Sequence, residues 1–187
     1  MAIPLILLLI LVGMIVVAGF WLMSAYNGLV VLRQAVKNAW AQIDVQLKRR
    51  HDLIPNLVNT VKGYAAHEKE TFERVINARA RATSATSPAE VIKAEGELSS
   101  ALARLLAVSE AYPELKANQN FLSLQEELNS TENRVAYARQ FYNDNVTRLN
   151  TRIQTFPTVV IAGMFGFKEE PFFETPSEDK AAPRVEF

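Results

Sequence analysis

Histidines, paired carboxylates and clustered basic residues are the side chains of this sequence that could carry chemistry. His51 and His67 are the only histidines, and Thr71 stands where a zinc-protease helix needs its second histidine ligand. Glu126 and Glu127 are neighbours in the chain, and adjacent residues of a helix face different ways. The sequence has no cysteine, no phosphate-cradling glycine loop and no dinucleotide fingerprint. We therefore expect no catalytic residue, no metal and no cofactor, so that the protein is not an enzyme.

The densest basic patch is the run Lys48-Arg49-Arg50-His51. Arg50 stands apart because it falls on the apolar side of a predicted helix. A buried guanidinium needs a carboxylate partner, and Glu132 beside Thr131 is the candidate; otherwise Arg50 extends its head group to solvent. The predicted buried polar cluster is therefore Arg50, Thr131 and Glu132. In one interpretation this charged cluster fixes the register of the helices. In another, it is the one place in the predicted bundle where an atypical enzyme site could lie.

The helix that positions Arg50 is predicted to begin near Tyr26 and to run to about Ala66. Its apolar side recurs at steps of four and three residues, which is the spacing of one helix face. The residues on this side are Val36, Trp40, Ile43, Leu47, Arg50, Ile54, Leu57, Val61 and Tyr64. Pro55 removes a backbone donor and collides with the carbonyl of His51. We therefore expect a kink or break at Asp52–Pro55.

Three further helices follow in the predicted order. The second covers residues 68–82, and the third begins at a capping box formed by Ser87 and Glu90 and stops at Tyr112, before Pro113. The fourth is long and runs over residues 114–155. Two long and two short helices joined by short loops predict an antiparallel four-helix bundle.

The N-terminal stretch Ile3–Met23 carries no charged side chain. At about 20 residues it is long enough to cross the ~30 Å hydrocarbon core of a bilayer. A cleaved signal peptide is the alternative, but the stretch lacks the basic segment that should precede it. The first charged residues after it are Arg33 and Lys37, which places the N-terminus outside and the larger domain in the cytoplasm. We expect a retained single-pass anchor that contacts the lipid bilayer through residues 3–23.

Composition limits the other partners. The chain has 187 residues with 20 basic and 20 acidic side chains, so its net charge gives no reason to expect nucleic acid. The predicted fold class is all-α: one N-terminal transmembrane helix, the antiparallel four-helix bundle with two long helices, and an extended C-terminal tail. The predicted domains are the anchor at 1–24, the bundle at 25–156, and an apolar membrane-proximal segment followed by a polar disordered tail at 157–187.

The apolar run Thr158–Phe167 is too short to span a membrane. An even number of helices returns the chain to its starting end, so this run is predicted to emerge beside the anchor. It either covers the open end of the bundle, docks into the bilayer interface, or packs onto a neighbouring copy or another partner. The candidate interaction surface comprises Val159, Val160, Ile161, Met164, Phe165, Phe167, Phe172 and Phe173.

Several motifs are similar to those of one bacterial family. The sequence strongly resembles the LemA family in Ala39-Trp-Ala-Gln-Ile-Asp-Val-Gln-Leu-Lys-Arg-Arg50, Asp52-Leu-Ile-Pro-Asn-Leu-Val58, Val61-Lys-Gly-Tyr64, Tyr112-Pro-Glu-Leu-Lys116, Thr131-Glu-Asn-Arg134, Ala138-Arg139, Tyr142-Asn143, Phe156-Pro157 and Gly163-Met-Phe-Gly-Phe167. Leu149 departs from the family, which usually has tyrosine there. The resemblance implies a single-pass bacterial membrane protein with a soluble four-helix bundle. It implies no catalytic residues, and it suggests membrane proteases and other envelope proteins as possible partners.

These observations favour a non-enzymatic, membrane-anchored scaffold or adaptor of the bacterial inner membrane that forms a homo-oligomer. One alternative is a structural homo-oligomer that organises the membrane, and a less favoured one is an enzyme with an atypical site in the bundle. Self-contacts alone in crosslinked membranes would favour the assembly, whereas a single recurrent partner would favour the adaptor.

Overall fold

A computed structural model describes residues 2–173, and over that range the protein is all-α, which confirms the predicted fold class. The helices are α1 (Ala2–Lys62), α2 (Lys69–Ser84), α3 (Pro88–Ser109), α4 (Pro113–Lys116), α5 (Gln119–Gln154) and α6 (Thr158–Met164). The tail that we expected to be disordered, residues 175–187, lies outside the described residues. The predicted domain boundaries at 24–25 and 156–157 stay a prediction.

We expected a kink or a break at Asp52–Pro55, and the break does not occur. Helix α1 continues through Pro55. The missing N–H of Pro55 leaves the carbonyl of His51 without its usual partner four residues on. The Arg79 Nε of α2 donates to that carbonyl at 2.7 Å. A side chain from a neighbouring helix therefore replaces the backbone hydrogen bond, and the helix continues to Lys62. Nor does a new helix start near Tyr26, since α1 begins at Ala2.

Local capping explains where two other helices begin. The capping box predicted for α3 is present, because the Ser87 hydroxyl accepts from the backbone N–H of Glu90 and the Glu90 carboxylate accepts from that of Ser87. The long helix predicted from residue 114 is divided: α4 ends at Lys116 and α5 starts at Gln119. The Asn118 side chain accepts from the Phe121 N–H at 3.0 Å, as an N-cap side chain does. Asn118 therefore fixes a second helix start that hydrophobic spacing alone did not reveal.

The chain divides into two compact units, and the first comprises residues 2–40 and 140–172. It contains the N-terminal part of α1, the C-terminal part of α5, and α6. Its largest fully buried side chains are Leu29, Leu149 and Ile161, and Val146 is buried as well. The rings of Trp40 and Tyr142 meet edge to face at 5.3 Å, a favoured aromatic arrangement.

The second unit comprises residues 41–139 and 173. Its core takes apolar side chains from α1, α2, α3 and α5, among them Leu57, Val75, Leu98 and Leu128, and α4 adds the fully buried Leu115. Arg49 of α1 pairs with Glu127 of α5 at 2.7 Å, and Tyr64, beyond the end of α1, hydrogen-bonds Asn118 just before α5 at 2.9 Å. Higher numbers on one helix meet lower numbers on the other, so α1 and α5 are antiparallel here.

Candidate functional site

The centre of the second unit holds a buried ion-pair cluster around Arg50. The apolar periodicity of α1 places Arg50 in the core, where its side chain is 1% exposed. One guanidinium nitrogen, Nη1, donates to Glu95 Oε2 at 2.7 Å. The other, Nη2, donates to Ser99 Oγ at 2.8 Å and contacts Glu132 Oε1 at 2.6 Å. Glu95 and Ser99, one turn apart on α3, and Glu132 of α5 thus all bind the Arg50 side chain of α1.

Glu95 is the buried carboxylate at the centre of this cluster. Its side chain is 1% exposed, and its second oxygen, Oε1, lies 2.6 Å from His51 Nε2. Each oxygen of Glu95 therefore already has a partner. A carboxylate in this arrangement holds Arg50 and His51 together, and because it is 1% exposed it is shielded from solvent and from any substrate at the surface.

The cluster contains two of the three predicted members, Arg50 and Glu132, but not Thr131. Arg50 contacts Glu132 as expected, but the Glu132 side chain is 39% exposed rather than buried. Thr131 is buried, and its hydroxyl donates to the Glu127 carbonyl of its own helix at 2.8 Å. Sequence reasoning missed Glu95, although Val91, Glu95, Leu98, Leu102 and Leu105 share the four-and-three spacing that singled out Arg50. The signal was therefore a charged residue within the apolar stripe of α3.

A second arginine lies at the edge of the same cluster. Burial lowers the pKa of Arg139, and the positive charge of Arg50 acts in the same direction, whereas Glu95 and Glu132 oppose the shift. The Arg139 guanidinium carbon lies 4.5 Å from the centre of the Phe173 ring, a cation–π contact. Each arginine of the cluster thus has glutamates near it, as buried charges require.

A groove of about 750 Å³ lies between α2 and α3 of the second unit. Four basic side chains line it, from Arg74, Arg81, Lys93 and Arg104, together with the single acid Glu97. The remaining lining residues are small or neutral: Asn77, Ala78, Gly96, Ser100 and Ala101. None of the residues of the buried cluster reaches this groove. It is a basic surface and not an entrance to the buried carboxylate.

Two of the four cations in the groove are free to meet a ligand. Arg81 pairs with Glu97 at 3.0 Å, and Arg74 pairs with Glu70, one turn earlier on α2. Lys93 and Arg104 are exposed and form no ion pair with any residue in the range 2–173. The groove therefore carries an excess of positive charge that an acidic ligand would neutralise.

The candidate interaction surface is divided between buried and exposed side chains. Ile161, Phe167 and Phe173 are buried in the protein, because they are no more than 8% exposed. The exposed fractions of the others are 42% for Val159, 54% for Val160, 72% for Met164, 57% for Phe165 and 43% for Phe172. Thus α6 covers part of the protein with one side and presents the other side outward.

The residues that receive α6 in the first unit come from α1. The Tyr26 ring lies 4.8 Å from that of Phe165 and 5.8 Å from that of Phe167. The Arg33 guanidinium lies 5.0 Å from the centre of the Phe167 ring. These contacts hold the loop after α6 against the part of α1 that follows its apolar N-terminal stretch.

One helix within the described residues, α1, is long and apolar enough to cross a membrane. None of its most apolar stretch is buried inside the protein, unlike the core helix of a soluble domain. An exposed surface of this kind needs lipid or protein around it.

Comparison with known proteins finds similarity to magnetosome protein MamQ and to protein LemA. Magnetosome protein MamQ 2 of Paramagnetospirillum magneticum is 25% identical over 185 residues, covering 84% of this chain and 68% of the relative. Magnetosome protein MamQ of Magnetospirillum gryphiswaldense is 24% identical with the same coverage. Protein LemA of Metamycoplasma hominis is 27% identical over 140 residues, covering 73% of this chain and 63% of the relative. The LemA family itself matches residues 39–187, most of the sequence, and the protein therefore belongs to the LemA family.

Proposed function

We propose that this protein is a membrane-anchored scaffold that binds an acidic segment of another protein in the groove between α2 and α3, and that it catalyses no reaction. The exposed apolar stretch of α1 is the anchor. Arg33 and Lys37 follow that stretch, and the positive-inside rule then assigns the N-terminus to the outside and the second unit to the cytoplasm of a bacterium.

The groove is the observation that carries this proposal. Lys93 and Arg104 offer two unpaired charges, and the small residues Gly96 and Ser100 line the groove beside them. Unit charges ~4 Å apart in water attract by ~1 kcal/mol. Reversal of both cations therefore changes the interaction by about 4 kcal/mol, or roughly 1000-fold in affinity before salt screening. An acidic peptide segment has the charge and the extended form that fit.

The buried cluster supports a structural role rather than catalysis. Both oxygens of Glu95 are engaged, and Arg50, which binds it, is fully buried. A general acid or base must instead reach a substrate proton within ~3 Å. The relatives' names, magnetosome protein MamQ and protein LemA, describe no reaction.

Chemical crosslinking in native membranes, followed by mass spectrometry, tests the proposal. The groove variant is Lys93→Glu with Arg104→Glu. The matched control is Lys48→Glu with Arg134→Glu, which makes the same charge change at exposed residues outside the groove. We expect a recurrent partner, crosslinked through an acidic segment, that is lost only in the groove variant. Self-contacts alone would favour the predicted homo-oligomer instead, and equal loss in both variants would contradict the groove.

A further inference from the structure

We infer that the exposed side of α6 and the loop after it rest in the headgroup layer of the bilayer, so that the protein holds the membrane at two adjoining places. This inference rests on the proposed membrane anchor. Its ligand is phospholipid, contacted at the boundary between acyl chains and headgroups.

The first argument is the distance from the anchor. Tyr26 follows Met23, the last residue of the uncharged stretch, by three residues, or about 4.5 Å along a helix axis. The Phe165 ring lies 4.8 Å from the Tyr26 ring. The polar layer on each side of the hydrocarbon core is about 5 to 8 Å thick. Even if these two offsets add along the membrane normal, Phe165 lies within about 9 Å of the end of the apolar stretch, in that layer or at its outer edge, whenever the stretch spans the core.

The second argument is the chemistry of the exposed side chains. Val160 and Met164 lie four residues apart on one face of α6 and are 54% and 72% exposed, and Phe156, in the turn before α6, is 78% exposed. No charged side chain occurs between Arg152 and Lys168. An apolar face bounded by basic residues is the pattern of segments that lie in a membrane interface.

The third argument asks whether a second copy of the chain, rather than lipid, could cover these exposed apolar side chains. At about 200 Å² for an aromatic side chain, the exposed fractions of Phe156 and Phe165 amount to roughly 270 Å². The three exposed aliphatic side chains of α6 add a similar area. This apolar area is comparable to the nonpolar share of the ~800 Å² that each partner buries in a typical protein interface, so area alone does not favour either occupant. The position of the patch beside the anchor is what favours lipid.

Fluorescent labels at single cysteines test this placement, because the natural chain has no cysteine. Full-length Met164→Cys, and Val160→Cys as a second site on the same face, are labelled with an environment-sensitive dye in vesicles of phosphatidylcholine and phosphatidylglycerol. Val45→Cys is the matched control, since Val45 is an exposed apolar residue, 63% exposed, in the second unit. Leu11→Cys reports on the anchor itself.

We expect blue-shifted emission at residues 164 and 160, quenched several-fold more strongly than at residue 45 by lipids with a nitroxide near the headgroup. The label at residue 11 should be quenched by nitroxides deep in the acyl chains. Quenching at residue 11 with water-like emission at 164 and 160 would overturn this inference alone. A blue shift without lipid quenching would assign the patch to a protein contact and overturn it too. An unquenched label at residue 11 would overturn both the inference and the proposed anchor.

Discussion

Neutralising Glu95 should destabilise the second unit far more than neutralising a surface glutamate. In the folded protein Glu95 and Arg50 lie 2.7 Å apart, and each side chain is 1% exposed. The change Glu95→Gln keeps the shape but leaves a buried guanidinium with Glu132 as its remaining acid. Breaking a buried pair from one side costs about 3 to 5 kcal/mol. We expect the lower end, about 3 kcal/mol, because Glu132 still compensates part of the charge.

A neighbouring pair supplies the control. Arg49 and Glu127 also lie 2.7 Å apart, but their side chains are 47% and 43% exposed. Exposed pairs typically contribute about 0.2 to 1 kcal/mol, so Glu127→Gln should cost less than about 1 kcal/mol. The two pairs share their chemistry and their distance, and they differ in burial and in the further partners, His51, Ser99 and Glu132, of the buried pair. Any large difference between them therefore reports the environment of the charges.

Urea unfolding of the full chain in a non-ionic detergent, followed by far-UV circular dichroism, measures these changes. A double-mutant cycle with Arg50→Met should give a coupling energy of about 2 to 3 kcal/mol for the buried pair. The corresponding cycle with Arg49→Met should give less than about 1 kcal/mol. Equal, small coupling in both cycles would refute the assignment of Arg50 and Glu95 as the ion pair that holds α1 to α3.

Three further predictions concern the core, a helix end and the topology. Leu57→Ala should cost about 2 to 5 kcal/mol in the same unfolding assay, against less than about 0.5 kcal/mol for Lys48→Ala; equal small costs would contradict the core assignment. The backbone N–H of Ser87 lowers the pKa of Glu90 below its ordinary value near 4.5. The folded state then binds fewer protons, so this stabilisation is present above pH 4.5 and is lost as the pH falls through the lowered pKa. Thermal unfolding should show a smaller loss at acid pH in Glu90→Gln, and an unchanged profile would be the contrary result. A cysteine at Ser177 should resist an impermeant thiol reagent in intact cells, and its labelling without permeabilisation would reverse the proposed topology.

Periodicity predicted the buried side of α1 well because residues in the middle of a long helix keep their phase. Val36, Ile43 and Leu57 are all buried, and so is Arg50. Tyr64 was wrongly placed on this side, since α1 ends at Lys62 and the ring lies 40% exposed beyond it. Spacing therefore stops being a guide where the helix itself stops.

Tertiary contacts account for what the sequence did not reveal. The continuity of α1 at Pro55 depends on Arg79, which comes from another helix and carries no local signal. Glu95 was identifiable in principle from its step in the stripe of α3. The run containing α6 is uniformly apolar, so its pattern could not distinguish the buried Ile161 from the exposed Met164.

A photo-crosslinking amino acid at Ser100, on the wall of the groove, tests the scaffold most directly. The control carries the same photo-crosslinking amino acid in place of Tyr137, which is 73% exposed and outside the groove. In native membranes we expect the Ser100 position to give one recurrent protein adduct, joined through an acidic segment and abolished by Lys93→Glu with Arg104→Glu. The Tyr137 position should not give it. The same adducts from both positions, or no protein adduct from Ser100, would contradict a scaffold that acts through this groove.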